Sequence, residues 1–144
     1  MASRDGESIH ARLVDEIVQA INDLKRDAFT DLFTSDIVLD YPYAPNWFVR
    51  SVQGRNEVQN ALNSVFDRFR RFSLTIDKEY EMDTSIIVEA TSDCERKDGE
   101  AYGNRYVLIW EFDGDKVCRW TEYFDPQRLQ ARKGFHRIDE TVGK

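Results

Sequence analysis

The sequence predicts an α+β fold in which helices come first and an antiparallel sheet follows. Apolar residues recur at helical spacing in the first half of the chain, and apolar and polar residues alternate through most of the second half. Two Asp-Gly pairs separate the β-rich runs, and such pairs are typical of tight hairpin turns. Segregation of helices and strands along a chain is typical of the α+β class.

The chain is 144 residues long, and this length favours a single domain. Neither a repeat nor a linker rich in proline or glycine divides it. We expect one domain over residues 1–144, with a folded core at about 8–130 and polar tails at both ends. A chain of this size buries a core without a metal or a disulfide.

The charge balance excludes several classes of partner. Twenty basic and 27 acidic residues give a formal net charge of −7. Because phosphate groups are bound by Lys and Arg, this balance argues against nucleic acid and anionic membranes. No apolar stretch approaches the roughly 20 residues that cross a bilayer, and the polar N-terminus lacks the apolar segment of a secretory signal. We therefore expect a cytoplasmic protein.

The first helix is predicted by one apolar stripe at spacings of three and four, formed by Ile9, Leu13, Ile17, Ala20, Ile21 and Leu24. A short second helix is predicted over residues 27–33, with Asp27 as its N-cap. Residues 37–41 form a β-rich run that stops at Pro42. A third helix follows Gly54, with a stripe formed by Val58, Ala61, Leu62, Val65, Phe66 and Phe69.

The segment between that strand and the third helix, residues 42–52, is predicted to be an irregular loop. It holds Pro45, Trp47 and Phe48, which is more apolar area than a solvated loop normally keeps. We expect this loop to cover the mouth of a binding pocket.

Four strands are predicted after the third helix. Residues 72–76 alternate between apolar and polar side chains. The two Asp-Gly pairs then divide the chain into a meander of three antiparallel strands, at residues 84–95, 100–112 and 116–124. Asp125-Pro126 ends the last strand, because proline cannot continue a hydrogen-bonded ladder.

The two cysteines, Cys94 and Cys118, fall on the first and third strands of this meander. Two strand spacings separate them by roughly 9–10 Å, which exceeds the limit of about 7 Å between the Cα atoms of a disulfide. They also lack CxxC spacing and neighbouring histidines. We expect two free, inert thiols in a reducing compartment and no metal site.

Strand alternation places large side chains on one face of the sheet. On the middle strand this face carries Tyr102, Asn104, Tyr106, Leu108, Trp110 and Phe112, which suits the wall of a pocket. On the last strand it carries Glu122, together with Cys118, Trp120 and Phe124. A buried carboxylate without a cationic partner has a raised pKa and can act as a general acid or base. The alternative is a structural Glu122 that pairs with an arginine or a tyrosine.

Other catalytic patterns are missing from the sequence. It holds no glycine-rich phosphate loop, no GxSxG and no HExxH motif. His10 and His136 have no partners placed for a triad or a metal site. Nucleotide hydrolysis, serine-esterase and zinc-peptidase chemistry are therefore not expected, and neither is a cofactor.

Four segments carry a family resemblance. They are residues 33–45 (FTSDIVLDYPYAP), 54–55 (GR), 102–106 (YGNRY) and 120–126 (WTEYFDP). In this order and spacing they resemble the SnoaL-like branch of the nuclear transport factor 2-like superfamily, over about residues 8–130. The resemblance implies a cystatin-like, cone-shaped α+β barrel. In such a barrel a curved antiparallel sheet packs on helices, encloses a deep apolar pocket and frequently forms a homodimer.

The family includes polyketide cyclases, ketosteroid isomerase, limonene epoxide hydrolase, scytalone dehydratase and phenazine-biosynthesis proteins, none of which needs a cofactor. The general base of ketosteroid isomerase falls on Tyr41 here, and its oxyanion donors fall near the apolar Ile17 and Leu108. The resemblance therefore excludes ketosteroid isomerisation by that route. Glu122 takes the place of an epoxide hydrolase aspartate, but the partner Arg and second Asp fall near Ala90 and Ser92.

The phenazine-biosynthesis and cyclase group shows the most similar pattern, an Asn-Arg-Tyr strand before an acidic residue, Tyr and Asp-Pro. By this resemblance we expect proton transfer (isomerisation, cyclisation or dehydration) on a hydrophobic carbonyl compound or polycyclic molecule. Glu122 would carry the proton, and Tyr41, Asn104 and Tyr106 would orient or polarise a substrate oxygen. The substrate-binding wall would be formed by Trp47, Phe48, Phe66, Tyr102, Leu108, Trp110 and Trp120.

Three alternatives stay open: a non-catalytic binder of a small molecule, a dimeric adaptor and an epoxide hydrolase-like enzyme. A shallow or filled pocket would indicate the adaptor, and an open one that holds a polar group would indicate an enzyme. The second face of the middle strand is predicted to form a homodimer interface, because branched residues with charges of both signs suit a self-complementary patch. This face carries Gly103, Arg105, Val107, Ile109 and Glu111.

Overall fold

The computed structural model describes residues 7–130 and confirms the α+β class. The elements are helix α1 (Ile9–Asn22), a 3₁₀ turn (Thr30–Leu32), strands β1 (Phe33–Asp40) and β2 (Ser51–Gln53), helix α2 (Arg55–Phe66), strands β3 (Phe69–Glu81), β4 (Ser85–Arg96), β5 (Ala101–Asp113) and β6 (Lys116–Phe124), and helix α3 (Pro126–Gln130). No helix among these is long and apolar enough to cross a membrane. His136 and most of the predicted polar tails lie outside the described residues.

All six strands form one sheet in the order β2-β1-β6-β5-β4-β3. Strands β4 to β6 are the predicted antiparallel meander, and Gly99 and Gly114 in its turns take the positive φ values that these turns require, 91° and 62°. The sheet is antiparallel except at one pair, where β1 runs parallel to β6. The sheet is also not closed into a barrel, since β2 and β3 are its two edges within residues 7–130.

Three bulges bend the long strands. Arg70 and Asp77 are extra residues in β3 opposite β4, and Cys118 is an extra residue in β6 opposite β5. A bulge kinks its strand and increases the local twist, which curves the sheet. The bulge at Cys118 also breaks the predicted alternation of β6: Val117 is fully buried, whereas Cys118 is half-buried.

The two long helices lie on one face of the curved sheet, α1 against β3 and β4, and α2 against β1 and β2. Helix α1 begins at the N-cap Ser8, whose hydroxyl accepts the amide of Ala11 at 3.0 Å. Four residues of its predicted apolar stripe, Leu13, Ile17, Ala20 and Ile21, are buried, whereas Ile9 is 49% exposed and Leu24 lies beyond the end of the helix. Trp110 and Trp120 lie in the centre of the core, with ring centroids 5.6 Å apart.

The short helix predicted over residues 27–33 does not form. A single 3₁₀ turn covers Thr30–Leu32, and Phe33 already begins β1. Asp27 is not an N-cap: it has a φ of 61°, and its carboxylate accepts Nδ2 of Asn63 at 2.9 Å. Side chains of α2 therefore hold this segment in a loop.

Two other boundaries also differ from the prediction. Helix α2 ends at Phe66, so Phe69 belongs to β3 instead of the helical stripe. The loop predicted over residues 42–52 ends earlier, because β2 begins at Ser51 and pairs with β1.

Candidate active site

A cavity of about 110 Å³, open at one end, lies between the helices and the inner face of the sheet. Its wall is mostly apolar and aromatic, which is typical of sites for small hydrophobic ligands. The apolar and aromatic lining consists of Ile21, Tyr41, Phe48, Leu62, Val65, Phe66, Phe69, Phe72, Leu74, Tyr102, Tyr106, Leu108, Trp120, Phe124 and Leu129. The charged lining residues in the described part of the chain are Arg68, Arg96 and Glu122.

Glu122 contributes the carboxylate of this wall. Strand β6 places it two residues from Trp120 and from Phe124 and directly opposite Leu108 of β5. The indole Nε1 of Trp120 donates to its Oε1 at 3.3 Å, and no ion pair reaches it from residues 7–130. Burial raises the pKa of Glu122 to about 7, and the hydrogen bond from Trp120 opposes this shift. The carboxyl group can therefore accept or release a proton near neutral pH.

Two buried tyrosines border the cavity near Glu122. Tyr41 follows β1 and packs edge-on against Phe48 and Phe124. Burial raises the pKa of both Tyr41 and Tyr106 well above 10, and the charge of Glu122 raises both further. Both phenols therefore stay protonated at neutral pH and can donate a hydrogen bond.

The two hydroxyls differ in their partners. The hydroxyl of Tyr106 shares a hydrogen bond of 2.8 Å with Ser92 Oγ. The hydroxyl of Tyr41 makes no hydrogen bond to any residue that the structure describes. Tyr41 is therefore the phenol that is available to a ligand oxygen.

Asn104, which was expected to contact substrate, lies behind the wall. Its Nδ2 donates to the hydroxyl of Tyr102 at 2.6 Å and to the carbonyl of Asp125 at 3.1 Å. Its Oδ1 accepts the amides of Asp125 and Arg105. These bonds hold the end of β6 against β5 and orient Tyr102, so Asn104 supports the cavity without bordering it.

The structure brings together most of the predicted wall. Five of its seven residues border the cavity, namely Phe48, Phe66, Tyr102, Leu108 and Trp120. Trp110 is fully buried in the core beside Trp120. Trp47 packs edge-on against Phe48, with ring centroids 5.9 Å apart, and is not a lining residue. The loop after β1 therefore contacts the cavity through Tyr41 and Phe48.

The two arginines of the wall, Arg68 and Arg96, were not among the predicted site residues. Alternation along β4 points Ile86, Val88, Ala90, Ser92 and Cys94 inward, and its continuation would have placed Arg96 on the same face. Arg68 lies three residues after Val65, so the helical spacing of the α2 stripe extends to it. Both signals were present at the ends of the predicted elements.

The described residues contain neither a cluster of metal ligands nor an easily ionised thiol at Cys94. No group of three or more His, Cys, Asp or Glu side chains among residues 7–130 is placed to hold a metal ion. Both cysteines are free thiols. Burial raises the pKa of Cys94 to about 11, so its reactive thiolate form is scarce.

Most of the chain matches a known protein family. Residues 14–120 match the family model described as a SnoaL-like domain. None of the curated proteins matches the chain significantly.

Similar solved structures include a provisionally named isomerase from Bacillus subtilis, with 18% identity and a TM-score of 0.79, covering 88% of this chain and 94% of the other. A provisionally named polyketide cyclase from Xanthomonas campestris has 18% identity and a TM-score of 0.71, covering 84% and 93%. An LEH-like epoxide hydrolase from M. tuberculosis has 17% identity and a TM-score of 0.69, covering 92% and 95%. At these identities the likeness shows the fold.

Proposed function

Because the chain belongs to the SnoaL-like domain family, we propose that it is a cofactor-independent enzyme that transfers a proton on a hydrophobic carbonyl compound. The observation that carries this proposal is the position of Glu122, a carboxyl group with a pKa of about 7 on an apolar cavity wall. Isomerisation, cyclisation and dehydration all include such a transfer, and a general acid or base works best when its pKa is near the working pH.

In the proposed step, the Glu122 carboxylate removes a proton from a carbon next to the substrate carbonyl. The electron pair of the broken C–H bond moves towards the carbonyl oxygen and forms an enolate. Tyr41 donates a hydrogen bond to that oxygen, and a donor placed where charge develops stabilises the transition state. Glu122 then returns the proton to a different atom of the substrate, which completes an isomerisation.

The adaptor and epoxide hydrolase alternatives have less support. An adaptor was expected to have a shallow or filled pocket, whereas this cavity is open and holds a carboxyl group. Ala90 and Ser92 occupy the positions at which the epoxide hydrolase pattern has an arginine and a second acid. The neighbouring Asp93 points away from the cavity, with 82% of its side chain exposed and 3.3 Å from Arg71.

Exchange of solvent deuterium into a ketone tests the proposal without knowledge of the natural substrate. The probe is 2-tetralone in D₂O, and NMR follows the loss of its α protons. The variant Glu122→Gln keeps the shape of the side chain and removes the titrating group. We expect it to slow the enzyme-dependent exchange by roughly 10²–10⁴-fold, the usual contribution of general acid–base catalysis.

The matched control is Glu111→Gln, which removes an exposed carboxylate from β5 outside the cavity. It should exchange the probe at the wild-type rate. Equal rates for Glu122→Gln and wild type would overturn the role of Glu122. A wild-type protein that binds 2-tetralone and related ketones without exchanging them would favour the non-catalytic binding protein.

A further inference from the structure

The two arginines of the cavity wall lie at the end away from Glu122. Arg96 is the last residue of β4, and Tyr102, which borders the same end, pairs with Cys94 two residues before it. Leu108 pairs with Glu122. Tyr102 and Leu108 are six residues apart on β5, which separates their Cα atoms by about 20 Å at the rise of an extended strand.

The arginines differ from other cations on this side of the molecule. Arg70 donates to the carbonyl of Lys97 at 2.9 Å and lies 3.5 Å from Glu95. Arg68 is exposed, and its guanidinium makes no hydrogen bond or ion pair within residues 7–130. It is therefore a cation that borders an apolar cavity and is available to a ligand.

Arg96 adds a second positive charge at the same end. Its side chain is 19% exposed, and its Nε lies 3.7 Å from Oδ2 of Asp98. Glu122 is the one carboxylate among the described lining residues and lies at the other end, so the lining here is positive although the whole chain carries a net charge of −7. The positive charge is thus a local property of this end of the cavity.

We propose that the ligand of this cavity is an amphipathic anion, with an apolar body along the aromatic wall and an anionic oxygen group at Arg68 and Arg96. Guanidinium groups bind carboxylate, sulfonate and phosphate oxygens through charge-assisted hydrogen bonds. An anion beside Glu122 would repel its carboxylate form, and the separation along β5 avoids this repulsion. The inference rests on the proposed function and names its substrate class: the anionic end lies at the arginines, and the reacting carbon lies at Glu122.

A pair of fluorescent probes with the same aromatic body tests this inference. 1-Anilinonaphthalene-8-sulfonate carries an anionic group, and N-phenyl-1-naphthylamine lacks it. Arg68→Gln removes the available cation. It should weaken binding of the sulfonate about threefold to tenfold, within the usual range for one charged hydrogen bond or ion pair, and leave binding of the neutral probe unchanged.

The matched control is Arg70→Gln, an equal loss of charge at an exposed position outside the cavity wall. It should leave the affinities of both probes unchanged. The neutral probe should also displace the sulfonate, because both occupy one cavity. Arg96→Gln should repeat the effect of Arg68→Gln if the variant remains folded.

Several results would overturn the inference. These are an unchanged sulfonate affinity in Arg68→Gln, an equal loss in Arg70→Gln, no displacement by the neutral probe, or no binding of either probe. The proposed function fails separately. If ketone exchange depends on Glu122 but Arg68→Gln leaves the sulfonate affinity unchanged, only the anionic ligand is refuted. If the two probes bind as expected but ketone exchange does not depend on Glu122, only the proton transfer is refuted.

Discussion

The carboxyl group of Glu122 makes the stability of the fold depend on pH. Its pKa is about 7 in the folded chain, against about 4.3 for a free glutamate. Between these two values the folded state binds more protons than the unfolded state. The free energy of unfolding therefore falls as the pH rises. The contribution of Glu122 is complete below the unfolded pKa and is lost as the pH rises through the folded pKa.

Glu122→Gln should remove this dependence. Between pH 5 and pH 8 the wild type should lose about 2–3 kcal/mol of unfolding free energy relative to the variant, the larger part of the roughly 4 kcal/mol to which the pKa difference corresponds. Urea denaturation of both proteins at the two pH values measures it, and all other titrating groups cancel in the comparison. Glu111→Gln should follow the wild type. Parallel pH profiles for wild type and Glu122→Gln would show that the carboxyl group titrates at its ordinary value.

Strand periodicity predicted which face of the sheet the site residues share, but not which of them border the cavity. Alternation was sufficient to point Glu122, Tyr106 and Leu108 inward, because a strand with one buried face has a fixed period of two. Trp110 shares that face and is packed in the core instead of on the cavity wall. Whether an inward residue borders the cavity or lies in the core depends on which helix residues cover that part of the sheet. The sequence of one strand does not show which helix residues these are.

Among the elements, the loop between α1 and β1 shows how tertiary contacts override a local helical pattern. The side chain of Gln59 on α2 is buried, and its Oε1 accepts the amide of Phe29 at 2.7 Å. Asn63, one turn later on α2, accepts the amide of Asp27 at 3.0 Å. These bonds satisfy backbone groups that a helix would otherwise pair, so the loop is stabilised from a distance.

Gln59→Ala should destabilise the protein by about 1–3 kcal/mol, because it leaves the buried amide of Phe29 without an acceptor. Asn60→Ala is the matched control, since Asn60 is the next residue of α2 and is exposed. The control should change the free energy of unfolding by less than about 0.5 kcal/mol. Chemical denaturation of the wild type, Gln59→Ala and Asn60→Ala measures these differences in the free energy of unfolding. Equal stability of the two variants would mean that water or a rearranged backbone replaces the lost bond.

Elements that form through local interactions were predicted more accurately than features that form through contacts between distant parts of the chain. Helix α1 and strands β4, β5 and β6 lie within one or two residues of their predicted bounds, because helical stripes and Asp-Gly turns are local signals. The parallel pairing of β1 with β6 joins strands that are far apart in the sequence. The bulge at Cys118 is likewise set by the pairing of two strands. Neither feature has a local pattern that could predict it.

At the scale of the whole molecule, the outer face of the sheet carries an exposed apolar patch. The register pairs Val107 of β5 with Tyr123 of β6 and with Glu89 of β4, so these three side chains share that face. Val107 is 37% exposed, and Tyr43 is 65% exposed and packs edge-on against Tyr123. Charged residues of both signs surround the patch, including Arg105 of β5.

This composition supports the prediction that two copies of the chain associate through the outer face, because a twofold axis brings the same patch of each copy together. Sedimentation equilibrium at micromolar concentration should give about twice the chain mass of 16.9 kDa. Val107→Glu would place like charges opposite each other and should weaken the dimer by roughly a hundredfold or more. Val49→Glu, at an exposed position in the loop before β2, should leave the mass unchanged. A monomeric wild type, or a dimer that survives Val107→Glu with its fold intact, would remove the outer face as the interface.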